Sequence, residues 1–172
     1  MFKRLKALIF LALILSVIVT GCGETTAPEK MDPESGAETN EVQTQEVFSV
    51  GETVKMGDLQ FSVNDVRTSA GDDFFKPEQG NVYFIVDSTI SNLASESANI
   101  SSLLMFKLVD DEGYNYQVTL GPDTRGSLDG ELGPGRKMRG ELAFEVPENV
   151  QGLELIFEPN VFGFGQAIYK VK

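Results

Sequence analysis

Lys137-Met138-Arg139-Gly140-Glu141-Leu142-Ala143-Phe144-Glu145-Val146 decides the fold class. Met138, Gly140, Leu142, Phe144 and Val146 fall on one side of an extended chain, and Arg139, Glu141, Ala143 and Glu145 on the other. A period of two sends alternate side chains to opposite faces of a strand. The stretch therefore predicts a half-buried β-strand with Phe144 in a core and Glu145 in water. Turn formers bracket it, Gly133-Pro134-Gly135 before and Pro147-Glu148-Asn149 after.

The same period recurs outward in both directions. Leu59, Phe61 and Val63 alternate with Gln60, Ser62 and Asn64, and Val82, Phe84 and Val86 with Tyr83, Ile85 and Asp87. Leu104, Phe106 and Leu108 alternate around Met105 and Lys107; Tyr116 and Val118 follow the turn residues Asp110-Asp111-Glu112-Gly113. Leu153, Leu155 and Phe157, then Ala167, Tyr169 and Val171, complete the series. No convincing amphipathic helix separates these runs. Seven to eight short strands, each with one apolar face, predict an all-β fold over residues 47–172: an antiparallel β-sandwich with one core.

The first 46 residues have a different composition. Lys3, Arg4 and Lys6 precede an apolar run from Ala7 to Thr20, which is short for a membrane-crossing helix and right for a signal peptide. The run ends in Val19-Thr20-Gly21-Cys22, an aliphatic residue and two small ones before the sole cysteine. This is similar to the lipobox of bacterial lipoproteins. The resemblance implies cleavage between Gly21 and Cys22, with residues 1–21 removed and a diacylglyceryl group carried on the Cys22 sulfur. Several acyl chains hold a protein at a membrane far more firmly than one. Residues 23–46 then carry seven acids against Lys30 alone, among Thr, Pro, Ala and Gly. Such a segment buries too little apolar surface to offset its ordering entropy, so residues 22–46 predict a lipidated cysteine and a disordered acidic spacer.

Charge and missing residue types bound the chemistry. The chain has a net charge of -12, no His, no Trp and one Cys. A surface this acidic repels phosphate backbones, which argues against a nucleic-acid partner. Without His or a second Cys, the usual zinc sites and His-dependent triads are out of reach. No cofactor motif is present: Gly163-Phe164-Gly165 lacks the Gly-Lys-Ser/Thr of a phosphate loop.

The order of features also resembles a known family. Gly80-x-x-Tyr83 opens a strand ending in Asp87-Ser88-Thr89-Ile90-Ser91-Asn92, and Phe106-Lys107-Leu108-Val109-Asp110 leads to Gly113-x-x-Tyr116. Leu132-Gly133-Pro134-Gly135 precedes Gly140-x-x-x-Phe144-Glu145-Val146-Pro147. Over residues 48–172 this resembles the telokin-like, immunoprotease-inhibitor-like domain of bacterial lipoproteins and of a secreted mycobacterial antigen. The resemblance implies an immunoglobulin-like sandwich and no activity, since most such domains have no known function and the shared residues are fold-makers.

Candidate sites are few. Asp72-Asp73 and Asp110-Asp111-Glu112 cluster carboxylates in loops without the spacing of a calcium loop, and read as solvated turns. Arg136, Lys137 and Arg139 form the one basic group and read as a solvated rim. Aromatic residues in loops stand out: Phe74-Phe75 after Gly71-Asp72-Asp73, and Phe162 and Phe164 in Asn160–Gly165. Loop rings either plug an end of the core or meet a partner. Alternation places Phe75 and Phe162 inward and Phe74 and Phe164 outward. The expected protein is a non-enzymatic binding or structural module, lipid-anchored on the extracytoplasmic face of the cell membrane and meeting an envelope protein, a peptide or the wall. The alternatives are a hydrolase of envelope polymers working through loop carboxylates, and a protease-inhibitor-like activity by fold analogy.

Overall fold

The computed structural model describes residues 46–159 and 165–172. Its strands are β1 (Val47–Ser49), β2 (Thr53–Met56), β3 (Leu59–Ser69), β4 (Asn81–Asn92), β5 (Ala98–Ile100), β6 (Phe106–Val109), β7 (Asn115–Thr119), β8 (Gly130–Leu132), β9 (Lys137–Pro147), β10 (Glu154–Phe157) and β11 (Ala167–Lys170), with one helical turn, α1 (Ser102–Met105), before β6. Eight of these strands have four residues or more, in line with the alternation. Strands β1, β5 and β8 have three each, too few for a period to show. Among the described residues no helix is long and apolar enough to cross a membrane.

Hydrogen bonding runs in the order β1-β11-β10-β6-β7-β9-β4-β3-β2, with β5 and β8 paired separately. The long sheet folds on itself because β7 serves both layers. Its first half pairs with β6 (Lys107 opposite Gln117), and its second half with β9 (Val118 opposite Phe144). One layer is thus β1-β11-β10-β6 and the other β9-β4-β3-β2. All pairs are antiparallel except β1 with β11, which is parallel.

The core lies between the layers. Phe61 of β3 meets Phe157, Tyr169 and Phe106 of the facing layer at ring-centroid distances of 4.5, 5.3 and 5.5 Å. All four rings are buried, and burying such a side chain is worth ~1.5–3 kcal/mol. The Tyr169 hydroxyl donates toward the carbonyls of Phe61 (3.0 Å) and Glu52 (3.1 Å), so the polar tip is satisfied where the ring crosses the sandwich. Burial and the nearby Glu52 push its pKa up to about 12.

Two local expectations are corrected. Leu104 does not share a strand with Phe106. The amides of Leu104 and Met105 both donate to the Ser101 carbonyl, closing one helical turn that leaves Leu104 66% exposed. Asp129 holds the start of that turn by accepting from the Ser102 amide (2.7 Å) and hydroxyl. The outer face of the β9-β4-β3 layer is not uniformly wet either: Tyr83, Ile85 and Ala143 form a second buried cluster there. The chain after β7 crosses this face, and Gly121 lies so close that a Cβ would come within 2.3 Å of the Ala143 Cβ.

Register fixes which loops share an end. Val47 pairs with Ile168 and Ser49 with Lys170, so the chain enters at the end where β11 begins and β10 finishes. From the pairings of Glu154 with Val109, Val109 with Asn115 and Asn81 with Pro147, the connections β3–β4, β6–β7 and β9–β10 gather at the opposite end.

Candidate functional site

Those three connections form one surface far from the entry of the chain. The Glu148 amide donates to the Gly80 carbonyl (3.0 Å), joining the β9–β10 and β3–β4 loops. Gly152 packs on the Asp111 side chain, joining β9–β10 to β6–β7.

The β3–β4 loop is built around Asp72. One carboxylate oxygen accepts from the amides of Phe74 and Phe75, both at 2.7 Å, while the Asp72 amide donates to the Phe75 carbonyl at 2.8 Å. A carboxylate capping the next amides in this way fixes a tight turn. Gly71 is required beside it: its φ is +87°, and a Cβ would lie 2.1 Å from the Phe75 carbonyl oxygen. The loop returns to the sheet through Glu145, whose carboxylate accepts from the Glu78 amide (2.7 Å) and the Asn81 side chain (3.0 Å). Glu145 is therefore an anchor, not the idle solvent-facing residue alternation implied.

This frame holds Phe74 92% exposed and Phe75 38% exposed. An open cleft of 680 Å³ lies under the loop, lined by residues 70–73 and 76–81, and neither ring lines it. Phe74 faces water. Phe162 and Phe164 lie outside the described residues. The described strand ends on either side of that segment, Phe157 and Ala167, pair at the entry end, opposite the Phe74 loop. Gly21 and Cys22 also lie outside the described residues.

The β6–β7 turn repeats the capping device. Asp110 accepts from the amides of Glu112 (3.0 Å) and Tyr114 (2.8 Å) and from the Tyr116 hydroxyl (2.7 Å). Burial works to raise its pKa, but these donors outweigh that and hold Asp110 below the usual carboxylate range. Tyr116, partly buried and facing that charge, is pushed up to about 12. The turn projects Tyr114 63% exposed. The criterion that singled out Phe74, an aromatic residue within a turn sequence, would have found Tyr114 in Gly113-Tyr114. Among the described residues no grouping of acidic side chains is arranged to hold a metal ion.

A second polar constellation lies on the outer face of the sheet. Arg139 grips Asp87 with two donors, Nε to Oδ1 at 2.9 Å and Nη2 to Oδ2 at 2.6 Å, and Asn64 adds a third bond to Oδ1. Glu141 accepts from Arg67 at 2.9 Å and from the Arg125 amide at 3.0 Å. The Arg139 bonds hold Asp87 below its ordinary range, and for Glu141 the bonds from Arg67 and Arg125 outweigh an opposing effect of burial. Arg139, its side chain 66% exposed, is thus solvated as expected and is also an ion-pair partner of Asp87. The network pins the 120–126 crossing, and its 320 Å³ cleft is lined mainly by groups already engaged with one another.

Comparisons with known proteins bear on the whole domain. Residues 48–168 match the family model described as Domain of unknown function (DUF4352). No curated protein matches the chain. Among solved structures, the yjhA protein from Bacillus subtilis superposes with a TM-score of 0.57 at 19% identity, over 73% of this chain and 100% of its own. A secreted protein from Mycobacterium tuberculosis, MPT63, gives 0.55 at 16% identity, over 74% of this chain and 98% of its own. A candidate lipoprotein from Bacillus subtilis, ycdA, gives 0.57 at 18% identity, covering 70% of this chain and 38% of its own. Identities this low establish a shared β-sandwich and nothing about activity.

Proposed function

The chain belongs to the DUF4352 family, a domain of unknown function, and on that footing we propose that it is a lipid-anchored extracytoplasmic protein whose sandwich acts as a non-enzymatic binding module. The observation that carries the binding role is Phe74. Three hydrogen bonds at Asp72 organise the turn that presents its ring, and that ring is 92% exposed. A ring carried on a pre-ordered backbone turn can be buried by a partner with little backbone left to order, a property suited to interface anchors.

The address rests on Val19-Thr20-Gly21-Cys22, and the printed descriptions of a secreted and a candidate lipoprotein neighbour agree with it. Val47, the first strand residue, and the Phe74 loop lie at opposite ends of the sandwich. Two of the loop carboxylates a hydrolase would draw on, Asp72 and Asp110, are occupied in capping their own turns.

Two measurements test this. Wild-type chain expressed in a bacterial host should incorporate an alkynyl fatty acid and pellet with membranes, and Cys22→Ser should lose the label; labelling that survives Cys22→Ser would refute the anchor. A photoreactive phenylalanine analogue at position 74 should crosslink to an envelope component in cells, while the same analogue at Thr53 on the β2 edge should not. Equal crosslinking at both positions, or none, would refute the role of the loop.

A further inference from the structure

The surface around Phe74 has a chemistry that narrows its partner. Loop 70–80 contributes three acids, loop 110–114 three and loop 148–153 one, against Lys76 alone; Lys170 and Lys172 lie at its β11 margin. Among them stand the exposed rings of Phe74 and Tyr114 and the half-exposed ring of Phe75. The loops are bonded to one another and to the sheet, so the charges and rings are carried on one connected backbone frame.

Resting on the binding reading above, we infer that this end of the sandwich docks a lysine- or arginine-rich peptide segment, with Phe74 and Tyr114 packing on its cationic side chains. Rings offer cations a negative face, and long basic side chains carry apolar stems that cover aromatic surface. Neighbouring carboxylates raise the local concentration of a cationic partner and speed its capture. An acidic or uncharged apolar partner would meet unfavourable charge or leave carboxylates desolvated without partners. Asp73 and Glu112 make no side-chain hydrogen bond among the described residues, so both carboxylates can turn to a ligand, whereas those of Asp72 and Asp110 are committed to their turns.

The test is fluorescence anisotropy of the full chain in detergent micelles, titrated with fluorescein-labelled decalysine and, separately, decaglutamate. Decalysine should bind and decaglutamate should not, with affinity falling as salt rises from about 50 to about 500 mM. Phe74→Ala should weaken decalysine about tenfold with an unchanged melting temperature. Asp73→Lys with Glu112→Lys should weaken it by at least as much, whereas Glu96→Lys with Glu131→Lys, the same charge change at the entry end, should weaken it far less. Equal losses for both reversals would mean that net charge alone attracts the probe, and would overturn the site. Undiminished binding by Phe74→Ala would overturn the aromatic contribution. If decalysine fails while the position-74 analogue still crosslinks in cells, the partner class is wrong and the binding module stands. If both fail, both readings fall.

Discussion

Asn92→Ala should destabilise the domain by about 3–4 kcal/mol, although Asn92 touches no candidate ligand. The side chain is buried, and its amide nitrogen donates to the carbonyls of Glu96 (2.7 Å), Leu132 (2.9 Å) and, less closely, Gly133 (3.3 Å). Its oxygen accepts from the Ala94 amide at 2.9 Å. One residue thereby ties the end of β4 to the 93–97 turn and to β8. Three firm bonds at ~0.5–1.5 kcal/mol each, with buried partners left unsatisfied on truncation, give that magnitude. For a domain of this size it corresponds to a fall in melting temperature of roughly 10–20 °C. Urea unfolding of the full chain followed by circular dichroism measures it. Asn92→Asp makes a stringent companion: it keeps the acceptor for Ala94 but sets a carboxylate against several carbonyls, so it should cost at least as much as alanine. An Asn92→Ala stability within about 1 kcal/mol of wild type would refute the reasoning.

Other outcomes follow from the same structure. Phe144→Ala should cost about 3–5 kcal/mol as a fully buried ring lost from the core, while Glu145→Ala should cost about 1–2 kcal/mol and speed amide exchange at Glu78; equal exchange in both proteins would remove Glu145 as the loop's anchor. Asp87 and Glu141 titrate below their ordinary range in the folded chain. Their contribution is present above the unfolded carboxylate values of about 4 and is lost as pH falls through the folded ones. Asp87→Asn should therefore lower urea stability at pH 6, with the difference from wild type shrinking as pH falls below the unfolded carboxylate range, and parallel curves throughout would refute the ion-pair account.

Much of the sandwich was legible because burial on one face writes a period of two into the longer strands. Phe61, Phe84, Leu142 and Phe144 all pack in the core as their spacing requires. The period carried no information where backbone bonding overrode it, as at Leu104, or where a crossing loop covered a second face, as at Ala143. It also ranked Glu145 by direction alone and so missed that a solvent-side carboxylate can hold a loop. Phe74 was readable because a ring in a turn sequence is unusual. The ion pairs of Arg67 with Glu141 and Arg139 with Asp87 were not, because each joins positions more than fifty residues apart and depends on strand order.

Strand β3 outruns its neighbour. Residue Thr53 of β2 pairs with Ser62, and beyond Val63 no described strand continues along that side of β3. Its register on β4 slips between Val63 and Asp65, where Asn64 is the extra residue. A long, regular, unpaired edge is a template on which another chain can add a strand and seed oligomers or fibrils. Here the irregularity at Asn64 interrupts the row of backbone donors and acceptors at the start of the open stretch. Asp65 and Arg67 set opposite charges along the rest. Deleting Asn64 would restore an even ladder and remove its bonds to Asp87 and Thr89 together. The residue that interrupts the pairing thus also makes the open edge a poorer template for strand addition.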